Sequence, residues 1–541
     1  MTAAADLVLT NAEVHTLADP DETAEAVAVR DGRIAGVGTT RDVEHLAGVE
    51  TTVRDCGGRV VLPGFVDAHT HLPMVGRRLV NADLAAAESP ADAVGLLVNH
   101  AAETDPETAG PDREWVLGFG YDESAWDDSR YLTAEDLDEV SDERPVAAVR
   151  EDMHLASLNS VALDRLRGEM PDADVQTRGG EPTGVVVEDA LDPLWDAIEP
   201  DRAAMRRAVH AAVERANELG VVGVHDMVRR SEAPAVYREL DRVGELSLRV
   251  RINYWADHLD AVEELGLRTN HGSERVRTGA IKTYTDGSIG GRTAKLSEPY
   301  ADAADSGGED GGDTGSDGGD SGSGGEGDDR RGQWVVDPEE LRELVARADE
   351  AGLQVAAHAI GDEAIRAALH AFRSADGERH RIEHAEVLTD DLLARIAESD
   401  VVASMQPNFL KWAGEGGLYA ERLGDERRLA SNRFGELLAS GAALAFGSDC
   451  MPLDPLYGVQ QAVTAPDERQ RLSVTDALRA YTSGAAYAGF DEHRLGTVEP
   501  GKLADLVVLD RSPWAVDPGE IADIDVRATL VGGDVVFDRD A

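Results

Sequence analysis

Lysine is nearly absent from this chain. Of 541 residues only Lys282, Lys295, Lys411 and Lys502 are lysine, so almost all of the positive charge is arginine. Cysteine is scarcer still: Cys56 and Cys450 stand far apart and offer no disulfide framework. No run of about 18 apolar residues occurs, so no membrane span is expected. The opening stretch "MTAAADLVLTNAEVHTL" has no basic segment leading into an apolar core, so no secretory signal is expected either. These absences together lead us to expect a cytoplasmic protein.

What the chain has in excess is acid. Asp and Glu number 105 against 52 Lys and Arg, a formal charge of −53. The acids run along the whole chain rather than gathering in a tail. Such a surface suits a protein that stays soluble at high salt, where its self-repulsion is screened, and a halophilic source is expected. The same charge weighs against nucleic acid or an anionic membrane as partner. At this length the chain can bury a large core and should hold more than one domain.

Hydrophobic patterning divides the chain. "DLVLTNAEVHTL" (6–17) and "AVAVRDGRIAGVG" (26–38), with Asp31-Gly32 between apolar runs, predict hairpin structure, as do "ADLVVLDRS" (504–512) and "VRATLVGGDVVFD" (526–538) with Gly532-Gly533. The two ends are expected to pack together as one β-sandwich domain, residues 1–62 plus 496–541. Between them, strands alternate with amphipathic helices. Strands are expected at 60–71, 220–228, 248–256, 278–288, 353–362, 381–387, 401–409 and 442–450. Eight alternating units predict an α/β fold, a (β/α)8 barrel over 63–495, whose functional side chains lie at the C-terminal ends of the strands. Residues 80–200 are too long for one βα unit and are expected to form an inserted subdomain. Residues 305–329, Gly- and Ser-rich with nine acids and no base, are expected to be a disordered loop. That tract has no regular repeat of a calcium-binding array.

The chemistry sits at the strand ends. In "FVDAHTHL" (65–72), His69 and His71 are two apart on a strand and point to one side, as two ligands of a shared metal ion would. His358 in "AAHAIGD" and His384 in "RIEHAEV" each end an apolar run, where an imidazole needs a partner. Asp449 in "FGSDC" follows a buried run, and a buried carboxylate needs a cation or hydrogen-bond donors. Lys282 in "GAIKTY" is the most informative residue, because a chain that avoids lysine keeps one inside an apolar strand. It is either ion-paired, with Asp286 the nearest candidate, or a neutral amine able to add CO2 and become a bridging carbamate.

The order HxH, Lys, His, His, Asp on strands one, four, five, six and eight resembles the amidohydrolase superfamily. "LPGFVDAHTHL" is similar to its opening signature and "LGTVEPGKLADLVVLD" (495–510) to its return into the terminal β-sandwich. Closer still is amidohydrolase family 3, the YtcJ-like branch that includes N-substituted formamide deformylases. That resemblance rests on "IKTYTDGSIGGRTAKLSEPY", "HAIGDEAI", "RIEHAEV", "MQPNF", "GSDCMPLDPL" and "LDEVSDERPVAAVREDMHLASLNSVAL". The resemblance implies two divalent metal ions, zinc by default with iron, manganese or cobalt as alternatives. His69, His71 and Asp449 would hold one ion and His358 and His384 the other, with carboxylated Lys282 between them. A hydroxide shared by the ions would attack the carbonyl of a small-molecule substrate, cleaving an amide, formamide or cyclic amide C–N bond, while Asp449 moves the proton to the leaving nitrogen. His154, Tyr121, Trp126, Asp286 and Arg292, which sit in the motif segments, and Cys450, beside Asp449, are candidates for the substrate pocket. A homodimer is compatible with this reading.

Two rival functions remain in view. A mononuclear deaminase of a heterocycle would have a glutamate soon after His358, where "AIGD" stands, and no lysine on the fourth strand. A non-catalytic scaffold on the same fold would have lost ligands, whereas all six positions are filled. The charge carries its own consequence. Lowering the salt from about 0.1 M to about 0.01 M lengthens the screening distance from about 10 Å to about 30 Å. Circular dichroism should therefore show structure lost as salt falls from molar to millimolar; full structure at low salt would contradict the halophilic reading.

Overall fold

The computed structural model describes residues 4–103, 114–123, 126–151, 153, 155–304 and 329–541. The acidic tract thus lies outside the described residues apart from Asp329. The chain divides into two compact units, one of residues 1–71, 214–230 and 240–541, the other of residues 72–213 and 231–239.

The first unit carries the barrel. Eight parallel strands follow one another around it in chain order: Phe65–Thr70, Val221–Val228, Arg249–Trp255, Val276–Tyr284, Gln354–Ala359, Arg381–His384, Val402–Met405 and Ala443–Phe446. Nearly every residue of these strands is buried, as expected where helices cover the outside and side chains fill the inside. The first and last strands meet through a tight seam. Asp449 N–H donates to the His69 carbonyl at 2.8 Å, and the Asp67 carboxylate accepts from His69 N–H at 3.0 Å and from Ser448 N–H at 3.0 Å. Gly447 permits this approach, because a Cβ there would run into the backbone nitrogen of His69.

The first expected strand, 60–71, is in fact two. Val60–Pro63 pairs antiparallel with Leu506–Leu509 in a six-stranded sheet of the terminal segments, and after Gly64 the chain enters the barrel as Phe65–Thr70. A continuous apolar run hid the change of sheet, since both halves are buried on both faces. A second, four-stranded sheet contains Leu7–Thr10, Ala26–Arg30, Arg33–Gly38 and Thr52–Asp55. Residues from both ends of the chain, among them Leu9, Val27, Val61, Leu506 and Leu530, form one apolar cluster. Both hairpin turns form, with Asp31 and Gly32 at φ 51° and 73° and Gly532 and Gly533 at 63° and 82°, the paired positive values that a two-residue type I′ turn demands.

The second unit holds a mixed six-stranded sheet with its own apolar core around Leu97, Tyr121, Val146 and Leu155. It is wider than the 80–200 segment expected from sequence. The helix Leu72–Leu79 packs so closely on Arg202–Glu218 that a side chain at Gly76 would collide with the Ala208 carbonyl. No helix among the described residues is long and apolar enough to cross a membrane.

The Asp67 seam generates a stability prediction. Asp67→Ala would leave buried N–H groups of His69 and Ser448 without an acceptor, at a cost of about 1–3 kcal/mol each. A clearly lowered denaturation midpoint at unchanged m-value is the expected outcome; an unaltered midpoint would show that the seam is held elsewhere.

Candidate metal centre

The C-terminal ends of the strands bring six of the sequence candidates to one place. One ligand atom each from His69, His71 and Asp449 lie within 4.8 Å of one another. The Nε2 atoms of His69 and His71 stand 3.6 Å and 3.4 Å from Asp449 Oδ1. The His384 ring lies 4.9 Å from the His69 ring and 4.5 Å from that of His358, centroid to centroid. Lys282, 1% exposed, places its Nζ 5.9 Å from the Trp255 ring and 5.2 Å from the Tyr284 ring.

Partners on the far side of each ring set which nitrogen is free. His69 Nδ1 lies 2.6 Å from Glu383 Oε2, and His71 Nδ1 lies 3.1 Å from the Met227 carbonyl. Both partners only accept, so each Nδ1 carries the proton and each Nε2 presents a lone pair toward Asp449. His358 is held through its Nε2, 3.0 Å from the Gly287 carbonyl. His384 is 3% exposed and its Nδ1 has no hydrogen-bond partner among the described residues, an orphaned lone pair or N–H in the middle of the cluster.

Electrostatics favour neutral ligands. Burial, followed by the neighbouring cations, drives His71 down to about 4 and His358 to about 3, and holds His69 and His384 well below the usual imidazole range. All four rings are therefore neutral at pH 7, the form that binds metal. Burial lowers Lys282 to about 8, while Glu383 and Asp449 pull it upward. Burial raises the Asp449 carboxyl to about 7, with Lys282 opposing. Neutral imidazoles with fixed tautomers, one carboxylate and an orphaned His384 nitrogen suit one or more divalent cations of the zinc type.

With the geometry in place, the comparisons decide the family. The amidohydrolase family model matches residues 52–537. The chain belongs to the amidohydrolase family. YtcJ of Bacillus subtilis (strain 168) is 30% identical, covering 97% of this chain and 98% of that protein. The N-substituted formamide deformylase of Arthrobacter pascens is 26% identical over 100% of this chain and 99% of that enzyme. An uncharacterized metal-dependent hydrolase of Pyrococcus furiosus superposes with a TM-score of 0.77 at 31% identity, covering 94% of this chain and 99% of that one. This amidohydrolase thus carries the family's barrel.

The remaining sequence candidates fall in several places. Asp286 is not the partner of Lys282. Its carboxylate accepts from the backbone N–H groups of Lys295 at 2.7 Å, Gly361 at 2.8 Å and Ile360 at 3.1 Å, tying together the loops after the fourth and fifth strands. Arg292 sits on a partly exposed loop with its guanidinium on Asp302. Tyr121 and Trp126 belong to the core of the second unit, their rings 5.7 Å apart, with Tyr121 Oη 3.1 Å from Ser157 Oγ and Trp126 Nε1 donating to the Ala87 carbonyl. Cys450 accepts the His71 N–H at 3.0 Å, and burial beside Asp449 keeps its thiol protonated. His154 lies outside the described residues.

Sequence reasoning missed Glu383 and Arg381. Both are fully buried in the sixth strand. Arg381 pairs with Glu383 at 2.7 Å and also donates to the Ala68 carbonyl at 2.6 Å and to Ser404 Oγ at 2.9 Å. Glu383 is thereby clamped against His69 Nδ1. Two charges at i and i+2 in an apolar strand were a readable signal, since both point into the barrel. Weakening such an outer partner typically lowers metal affinity about 10–100-fold. Glu383→Gln should show that loss in metal titration of the apo protein with its circular dichroism unchanged; undiminished affinity would mean that Glu383 does not position His69.

Proposed function

We propose that this amidohydrolase cleaves a C–N bond in an amide, formamide or cyclic amide. The observation that carries the reading is Lys282, buried among four neutral imidazoles and without a hydrogen bond or ion pair among the described residues. An ammonium so placed would cost several kcal/mol. Family membership supports the same reading, as does the full-length likeness to an N-substituted formamide deformylase.

His69, His71 and Asp449 would hold one divalent ion, and His358, His384 and the modified Lys282 would complete a second site. Zinc is the ion we infer for both. When bound, such ions polarise a substrate carbonyl and make water nucleophilic at neutral pH. The chain's own groups supply the rest. A Lys282 lowered to about 8 offers enough free amine near neutrality for its nitrogen to bond to the carbon of CO2, losing one proton and becoming an anionic carbamate. Burial raises the Asp449 carboxyl above its ordinary value, so it can hold a proton at one oxygen and return it to a departing amine. Glu383 and the Met227 carbonyl keep His69 and His71 in one orientation throughout. Trp255 and Tyr284, with ring centroids 5.1 Å apart, wall off Lys282 and restrict water around its amine.

The test is chemical rescue. Lys282→Ala should lose hydrolysis of N-formyl, N-acyl or cyclic amide substrates, assayed in molar salt, together with part of its metal. High concentrations of a short carboxylic acid should restore a fraction of both. Lys282→Arg should stay inactive, since a guanidinium cannot form a carbamate. A fully active Lys282→Arg enzyme would refute the carbamate and favour a mononuclear deaminase on His69, His71, His384 and Asp449.

A further inference from the structure

Beside the metal centre, where the ends of the third and fourth strands meet the helix Pro338–Glu350, lies a cavity of about 430 Å³. That size falls among pockets that hold small molecules, roughly 300–1,000 Å³. Trp255 and Tyr284, the two rings that stand over Lys282, are among its walls. The cavity and the metal centre therefore share a partition of two rings whose centroids are 5.1 Å apart.

The walls say what the cavity can hold. Trp255, Tyr284, Ala256, Val335, Val336 and Leu344 give it an apolar lining. Val335 is 54% exposed, so an apolar occupant would take that surface out of water. The cationic residues at the cavity already have partners. Arg229 Nε donates to Asp257 at 3.0 Å with its guanidinium over the Trp255 ring, and Arg347 is paired with Asp260 and Glu263. Glu340 and Glu343 lie on the exposed side of the helix, where their carboxylates stay hydrated and repel an anion.

The way into the metal centre runs past the same ring. His71 is the most open of the ligand candidates, its side chain 34% exposed against 14% for Asp449, 8% for His358 and 1% for His69. Its ring lies 6.4 Å from that of Trp255. Asp449, 3.4 Å from His71 Nε2, is the group assigned above to the proton of the departing amine. A leaving nitrogen at Asp449 therefore stands at the open edge of the centre, with Trp255 and the cavity behind it next in line.

Resting on the C–N reading above, we propose that this cavity is a specificity pocket for the group carried by the leaving nitrogen. It takes an uncharged apolar group about the size of a cyclohexane ring, laid against Trp255, Tyr284 and Val335.

Two measurements on the full chain test this. Crystals soaked with bromobenzene should show an anomalous peak in the cavity, against Trp255 and Val335. In molar salt, the enzyme should favour the N-formyl and N-acetyl derivatives of cyclohexylmethylamine over those of methylamine in kcat/KM. Val335→Trp and, separately, Ala256→Leu fill the cavity and should each cut that preference roughly 10-fold or more. No peak, or no preference in the unaltered enzyme, would overturn the pocket. A peak with a preference that neither substitution moves would be binding at crystal concentration only and overturn it equally. Hydrolysis of none of these amides, nor of any other in a wider panel, would refute the C–N reading itself and take the pocket's role with it.

Discussion

Desolvation of polar groups at the mouth of the barrel is the constraint on which the rest depends. Four imidazoles, an amine and the carboxylates of Asp67, Glu383 and Asp449 share a volume that water reaches only past His71 and Asp449. Burial alone would make that arrangement untenable, because each charge or unpaired polar atom loses its hydration. The protein answers in two ways. It fixes some groups with internal partners: Asp67 on the N–H groups of the seam, Glu383 between Arg381 and His69, Asp286 on three backbone N–H groups. Others it leaves without such a partner among the described residues, His384 Nδ1 and Lys282 above all, and on the proposed reading a divalent cation and a modified amine would answer for them.

The barrel fits this demand because it delivers side chains from non-adjacent segments to one end of a rigid sheet. His69 and Asp449 are 380 positions apart in sequence, yet Asp449 N–H is bonded to the His69 carbonyl. Covering helices exclude water from the outside, while the interior carries a buried polar column that runs from His69 through Glu383 and Arg381 to His225. The column ends at His225, beside Arg251 and its partner Asp491.

Much of this was legible in the sequence, because strand-end histidines and an out-of-place lysine break an otherwise apolar pattern. The eight strands emerged for the same reason, each being a short buried run between amphipathic helices. The division at Gly64 was not legible, since a strand buried in a sandwich and a strand buried in a barrel read alike. Glu383 was readable but passed over: "RIEH" draws attention to the histidine, although Arg381 and Glu383, two apart in a buried strand, mark an inward-facing pair. Tyr121 and Trp126 show the converse. Polar aromatics in a motif segment suggest a pocket, but only tertiary packing reveals that Ser157 and the Ala87 carbonyl engage their polar atoms. The family resemblance carried the roles of individual ligands further than spacing alone could.

The central claim is that the mouth of the barrel is a two-ion site bridged by Lys282. Anomalous diffraction from crystals of the full chain, measured at the absorption edge of the metal that the purified protein carries, tests it most directly. The account predicts one peak among His69, His71 and Asp449, a second beside His358 and His384, and density continuous from Lys282 Nζ toward both. A single peak with a bare amine at Lys282, or none in the barrel mouth, would contradict it.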